Sequence, residues 1–396
     1  SPRAEIIIDG KLNEKEWQNA QVLNDFHVTV PFSLESTPLE TQTLFYSDDD
    51  GLYVAFINAQ DEESRVRRRH PRDRNQDSDA NVVVIDFDNN GNNAYVLGVS
   101  LSNSLIDATV TNENQTDKDW DGEWFAKTSE SDENWYSEFF IPWTMVPMGQ
   151  QEGEQRTIGV NVQRYISYLG IEVMFPSIST NRPKFLSELH KIKVVKTNPS
   201  RLDFFPYVVA NNNFIDDDSS FDAGAEIFYN NGRGGEISAT INPDFGQVES
   251  DNIVINFSPR ETFYSDKRPF FTQSQSIFDV SLDWYPGFEL YSLLHTRRIG
   301  DSPNYDCSRY SSAEGGSDEL ESECEDNKIN SNGIDTAIKY TQIGENTDFG
   351  IFSAFESDEN FSEGDDFFAF RALHRKNEHK IGYMATHAEK SFIDRQ

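Results

Sequence analysis

The chain has no run of 18 or more apolar residues, so no part of it can cross a membrane as a helix. Positive charge is scarce: 34 Lys and Arg against 68 Asp and Glu leave a formal net charge of −34. Phosphate binding needs clustered cations, so nucleic acid is excluded as a partner. Acidity on this scale keeps a chain soluble in a salty exterior. Cysteine is scarce too, and both residues, Cys307 and Cys324, lie in one polar stretch. A disulfide between them would staple a loop and contribute about 3 kcal/mol, and the alternative is a pair of free surface thiols. Signatures of catalysis are missing: there is no Gly-x-Ser-x-Gly elbow, no His-Glu-x-x-His, no Gly-rich phosphate loop and no Cys–His pairing outside the loop. Carboxylate pairs for glycoside cleavage are recognised by geometry alone, which leaves hydrolysis the least supported activity. No charged-then-apolar leader precedes Ser1, and a signal peptide is expected to have been removed already.

What is present is alternation. In 333–341, Ile334, Thr336, Ile338 and Tyr340 fall on one face, with Asp335, Ala337, Lys339 and Thr341 on the other. The same period of two recurs around Phe349, Ile351 and Phe355, around Phe368, Phe370 and Ala372, and around Ile381, Tyr383 and Ala385. Strands about ten residues long, apolar on one side and joined by turns, are how a chain crosses an outer membrane as a barrel. The low hydrophobic content, 36%, suits such a barrel, where only every second residue meets lipid.

The first half reads differently. Short strands are expected at 5–8, 43–46, 52–58, 81–86, 94–100, 135–141, 157–163 and 190–195, with a short helix at 14–20 that sets Trp17 against the body. That spacing predicts a sandwich or jelly roll. Asn198-Pro199-Ser200 makes a natural linker. The fold class is therefore all-β, with a sandwich over 1–197 and an antiparallel transmembrane barrel over 202–396.

Ile8-Asp9-Gly10-Lys11-Leu12-Asn13-Glu14, closing on Trp17 and Ala20, resembles the start of the family 9 carbohydrate-binding module. Trp120-Asp121-Gly122-Glu123-Trp124, then Asn134-Trp135-Tyr136-Ser137-Glu138 and Ile141-Pro142-Trp143, is similar to the same group in order and spacing. The second half resembles an uncharacterised β-barrel domain fused behind that module in Gram-negative bacteria. Its motifs here are Ile241-Asn242-Pro243-Asp244-Phe245-Gly246-Gln247-Val248-Glu249, Phe263-Tyr264-Ser265-Asp266-Lys267-Arg268-Pro269-Phe270-Phe271 and Arg297-Arg298-Ile299-Gly300. The resemblance implies an outer-membrane location and a grip on sugars by tryptophans. It brings no established activity.

Nine membrane strands are expected, at 203–213, 222–230, 235–243, 252–263, 288–298, 333–342, 348–356, 366–375 and 379–388. Nine is odd where closed bacterial barrels are even, so the barrel is expected to be incomplete in this chain. With the first strand running outward, the turns at 231–234, 343–347 and 376–378 are periplasmic and the connections at 214–221, 299–332 and 357–365 external. One connection, 264–287, is long yet falls on the periplasmic side. The scheme puts the sandwich in the periplasm and the candidate disulfide outside.

Three features of the sandwich carry candidate chemistry. Aromatic faces stack on sugar rings, and Trp120, among Asp117, Asp119 and Asp121, is the tryptophan expected to be exposed, while Trp17, Trp124, Trp135 and Trp143 are expected in the core. Asp77, Asp79, Asp86 and Asp88 offer oxygen ligands of the kind calcium takes, the alternative being a solvated acidic edge. The run Arg65, Arg67, Arg68, Arg69, His70, Arg72 and Arg74 would serve an anionic glycan, lipid head groups or the acidic turns of the barrel, or internal ion pairs. In the second half, Asp244, Glu249, Asp266, Lys267 and Arg268 are expected to form a charged network inside the lumen. The expected role is binding or passage of a glycan or other solute at the outer membrane, with a structural or docking role among envelope proteins as the competitor.

Overall fold

The computed structural model describes residues 6–389 except 74–76, 112, 119, 180–183, 214–217, 244–265, 267, 286–287, 303–304, 312–314, 330, 359–360, 362 and 377–378. The chain divides into two compact units, Ser1–Pro199 and Ser200–Gln396. Among the described residues it is all-β, and every strand pairing is antiparallel.

The first unit is a sandwich of two sheets. One has the spatial order Gln21–Leu23, Thr41–Ser47, Gly51–Ala59, Asn134–Pro142, Phe125–Glu130. The other runs His27–Val30, Ile171–Phe175, Gln155–Ile166, Ala80–Asp86, Asn93–Ser100, Leu105–Thr111, Gln115–Asp117, and His190–Val195 also pairs with Gln155–Ile166. Between them Phe45, Val54, Phe56, Phe139 and Ile141 of the first sheet meet Val83, Ile85, Leu97, Val160 and Val162 of the second in one buried core. The period of two places Val84 on the far side of its strand, where Ile178, Phe185, Leu186 and Leu189 cover it. The expected opening strand is absent over its described part, 6–8, and the expected helix is the 3-10 turn Lys15–Asn19. Trp17 does seat there, buried against Ile6, Leu44, Tyr53 and Ala55.

The two motifs of the first unit meet through one carboxylate. Glu138 accepts hydrogen bonds from the amides of Asp9 (3.1 Å) and Gly10 (2.7 Å). Gly10 has φ +84°, and a Cβ there would stand 2.7 Å from the Thr128 carbonyl carbon, so only glycine fits. Asp86, read from sequence as the end of a solvated acidic edge, is in fact buried, and its carboxylate accepts from the amides of Gly91 (2.7 Å) and Asp88 (3.1 Å). Loss of water raises both acids to about 7, against the pull of those amides. A raised acid binds its proton more tightly in the folded state, so its stabilising contribution is complete near pH 4 and is lost as pH rises through about 7. We expect the urea midpoint of the first unit to fall between pH 5 and pH 8. Asp86→Asn, which keeps one of the two acceptor oxygens and removes the charge, should flatten that dependence by roughly 1–3 kcal/mol. An unchanged slope in the variant would show that Asp86 titrates normally.

The second unit is a seven-stranded meander in the order Arg201–Asn213, Asp218–Asn230, Gly235–Ile241, Ile334–Gln342, Thr347–Glu356, Asp366–Lys376, His379–Glu389. Register ties Leu202, Tyr229, Ile237, Tyr340, Ile351, Phe370 and Ala385 into one row across all seven strands. The neighbouring row on that face is Phe204, Ile227, Ala239, Ile338, Ser353, Phe368 and His387. This apolar face is uncovered: Leu202 is 66% exposed, Phe204 57% and Ile351 48%. The opposite face carries Glu236, Ser238, Thr240, Lys339 and Thr341, all buried. Over it lies part of the long connection between Ile241 and Ile334, with Phe270, Phe271 and Phe278 packed on Phe352, Ala337, Ala354, Phe367 and Ala369.

One expected strand needs correction, and another cannot be compared. The segment 288–298 supplies only Phe288–Ser292, which pairs with Ser281–Tyr285 in a separate hairpin, and Thr296–Arg298 is a 3-10 turn. The strand expected at 252–263 lies outside the described residues. Gly235–Ile241 instead pairs directly with Ile334–Gln342, Ile237 opposite Tyr340. Asn242 and Gly333, the described residues that flank the stretch between these two strands, therefore lie at one end of the sheet. The short turns 231–234 and 343–346 share the other end.

Candidate functional site

The site grows around Asp107, the one acid in the strand Leu105–Thr111, with 0% of its surface exposed. A buried carboxylate survives only when its oxygens are filled. Arg72 fills them from one side: Nε donates to Oδ1 at 2.8 Å and Nη2 to Oδ2 at 2.5 Å, a forked pair. From the other side Oδ2 accepts from the Gly122 amide (2.8 Å) and the Trp124 indole N–H (3.1 Å). Arg72 also meets Asp121 at 2.8 Å and donates to the Gly122 carbonyl at 3.3 Å. Asp73 accepts from the Asp107 amide at 2.8 Å. Burial first, and then the nearby Asp107 and Asp121, pushes Asp73 up to about 6.

Trp120 stands beside this hub. Its ring centroid is 4.8 Å from that of Tyr95, tilted by 53°. A Cβ on Gly122 would come within 2.4 Å of the indole, so the ring folds closely over that glycine. Of the five tryptophans in this unit, Trp120 alone is only half-buried; Trp17, Trp124, Trp135 and Trp143 are in the core. The result is a ring surface next to a cation and three carboxylates, the combination that grips a polyol: stacking for its C–H face, charged donors and acceptors for its hydroxyls.

The basic run is spent largely on internal pairs. Arg65 is buried, donating to the Gln60 carbonyl and, at 3.2 Å, to Glu130; Arg67 forks onto Glu130, and Arg68 faces Asp77 at 3.4 Å. Among the described residues of the run, Arg72 reaches Trp120's neighbourhood, and Arg74 lies outside the described residues.

The four aspartates offered to calcium are not gathered. Asp77 is exposed beside Arg68; Asp79 accepts from the Val66 amide (2.8 Å), the Ser167 amide (2.8 Å) and Gln60 (3.0 Å); Asp86 caps Gly91; Asp88 accepts from the Gly149 amide (2.8 Å) and Arg156 (3.1 Å). Each is satisfied where it stands, so none is left to converge on an ion. The acids that do converge, among the described residues, are Asp73, Asp107 and Asp121, whose oxygens lie within 4.8 Å of one another. Arg72 already supplies the positive charge there.

In the second unit Asp266 and Arg268 do pair, at 2.5 Å and 2.8 Å, but as a buried knot: Arg268 also donates to the carbonyls of Thr296 and Ile299, both at 2.7 Å. Of the expected charged network, Asp244, Glu249 and Lys267 lie outside the described residues. The knot joins the motif around Pro269 to the one around Gly300, which has φ +80° and a Cβ position 3.3 Å from the Asn332 carbonyl. Cys307 and Cys324 form a disulfide. It ties the 3-10 turn Cys307–Tyr310 to the acidic helix Asp318–Asp326.

The sequence missed Asp107 and Tyr95, and offered Asp73 only beside Arg72 as part of a structural ion pair. An isolated acid amid Ile106, Ala108 and Val110 was the available signal, since an unpaired charge cannot stay in an apolar strand.

Residues 8–167 match the family described as carbohydrate family 9 binding domain-like. Residues 198–320 match a family described as a domain of unknown function (DUF5916). Two solved structures are similar to this chain at low identity. One is a family 9 carbohydrate binding module from Caldicellulosiruptor kristjanssonii in complex with cellotriose: 15% identity, TM-score 0.34, covering 48% of this chain and 90% of that one. The other is a putative carbohydrate-binding protein from Bacteroides uniformis ATCC 8492: 10% identity, TM-score 0.33, covering 45% and 87%. No curated protein matches. The first unit is thus a carbohydrate-binding-module-like β-sandwich, carried in front of a second β unit whose matched family has no assigned function.

Proposed function

We propose that the chain is an outer-membrane protein whose first unit captures a glycan non-covalently at Trp120, Arg72 and Asp121. The observation that carries the capture is the half-buried Trp120 ring set beside the Arg72 fork in a domain of carbohydrate-binding family. Asp107 is consumed in holding Arg72, which leaves Asp121 and Asp73 as acceptors at the rim. No step of bond cleavage is assigned to it.

The membrane part of the reading rests on the uncovered apolar face of the second unit and on strand lengths of 7 to 13 residues, which suit a tilted crossing. Short turns at one end and long connections at the other follow the usual sidedness of such barrels. On that reading the residues before Arg201 are periplasmic and the disulfide loop is external.

A glycan array probed with residues 1–199 tests capture, because this unit has its own core. Wild type should retain one glycan class, and Trp120→Ala should weaken it about tenfold to a hundredfold, the worth of a stacked aromatic. A wild-type domain that holds no sugar would favour docking to another envelope protein instead.

A further inference from the structure

The long connection 242–333 does not simply cap one end of the sheet. Part of it, within 266–299, returns along the sheet and lies on the polar face. Phe270, Phe271 and Phe278 surround Phe352 at ring distances of 6.5, 6.1 and 6.3 Å. Gly350 makes room for Phe278, since a Cβ there would stand 2.6 Å from that ring. Polar bonds fix the segment to the strands. The buried Lys339 ammonium donates to the carbonyls of Phe270 (2.7 Å) and Gln273, and Ser274 donates to Glu236 at 2.8 Å. At the far end Arg268 holds the carbonyls of Thr296 and Ile299, and the Gly300 amide donates to Glu356 at 2.8 Å.

The covered side is mixed. Ala337, Phe352, Ala354, Phe367 and Ala369 pack on the segment's aromatics there, while Glu236, Ser238, Thr240 and Thr341 are buried on the same face and the exposed apolar rows face out. A polar inner wall is what a water-filled passage needs. The covering segment brings its own aromatic cluster and grips that wall through a single ammonium and a few carboxylates and carbonyls. We propose that this segment is a resident plug, with Lys339 as its latch: it seals the polar face at rest, and solute passes only when the segment leaves. The proposal rests on the membrane reading given above.

The same geometry says what the latch does. Lys339 projects from the centre of the sheet and is fully enclosed, so its three donors must all be filled by whatever covers it. Two backbone carbonyls of the plug, those of Phe270 and Gln273, take two of them. Displacing the plug exposes the ammonium to water, which satisfies it equally well, so the closed and open states are both tolerable for this residue. A methionine of similar length fits the same space but offers the plug carbonyls nothing.

The test uses the full chain, folded into lipid vesicles and then fused to planar bilayers. Wild type should insert, judged by protease protection of the strands, and stay electrically silent. Lys339→Met should insert equally, raise the frequency of openings by about tenfold or more, as loss of charge-assisted hydrogen bonds predicts, and speed amide exchange in 268–278 while the strands stay protected. If Lys339→Met does not insert, Phe278→Ala, which removes only the ring seated on Gly350, makes the same comparison. An inserted wild type that conducts steadily while 268–278 stays protected overturns the plug, and so does an inserted variant with freed 268–278 that remains silent. A chain that never inserts removes the membrane reading and the plug with it, and the protease assay tells that case apart from a plug that fails.

Discussion

Asp107→Ala should destabilise the first unit by about 2–4 kcal/mol, the cost of leaving buried donors without their acceptor, while Arg72, 39% exposed, keeps Asp121. The carboxylate is the shared acceptor of Arg72, the Gly122 amide and the Trp124 indole. Its loss strands three donors at once, and two of them lie in the segment that carries Trp120. The indole over Gly122 would lose its support, so glycan retention should fall even under conditions where the domain is still folded. Asp107→Asn keeps one acceptor oxygen and removes the charge, and its loss should be intermediate. Tryptophan fluorescence in urea reads this directly, because five of the six tryptophans belong to this unit. An alanine variant within 1 kcal/mol of wild type, a difference an ordinary surface change could produce, would mean that Arg72 finds another partner and that Asp107 is no hub.

A charge on the outer face of the second unit should be costly if that face meets hydrocarbon and nearly neutral if it meets water. Ile351 sits mid-sheet in the apolar row and is half-exposed. Facing hydrocarbon, Ile351→Arg should cost roughly 2–4 kcal/mol near the bilayer midplane and sharply reduce the fraction folded into vesicles. Facing water, the same arginine should change stability by less than about 0.5 kcal/mol and improve solubility. Denaturant titration of the vesicle-folded chain separates these outcomes. Arginine at Ile338, one row away, should behave alike, whereas Lys328→Glu, just past the disulfide-closed loop, should leave folding unaffected. A soluble, fully folded Ile351→Arg chain with no affinity for vesicles would end the membrane reading.

Much of the sandwich was legible as short runs. The expectation 81–86 became Ala80–Asp86, 94–100 became Asn93–Ser100, and 135–141 became Asn134–Pro142, because Val, Ile and Phe cluster there between turn residues. Strands without that signal were missed. Leu105–Thr111 is broken by its acid and threonines, and Phe125–Glu130 is nearly all small or polar. In the site, Trp120 stood out through its acidic neighbours, and Arg72 through a conspicuous run of basic residues. The calcium ligands were read from spacing alone, and spacing could not reveal that backbone amides of Val66, Ser167, Gly91 and Gly149 already occupy those oxygens.

The sequence by itself determined that Ile338, Ile351 and Phe370 share one side of their strands and Lys339, Phe352 and Ala369 the other, since the pleat of a strand depends only on position along it. It also placed both cysteines in one loop. Only the tertiary structure decided that Asp107 would be met by residues 35, 15 and 17 positions away, and that Gly235–Ile241 would pair with Ile334–Gln342 across 92 intervening residues, 242–333. Such pairings have no local code. They are selected by the summed burial of whole faces and by closing long loops whose entropy grows only slowly with length, so no single stretch of the chain announces its partner.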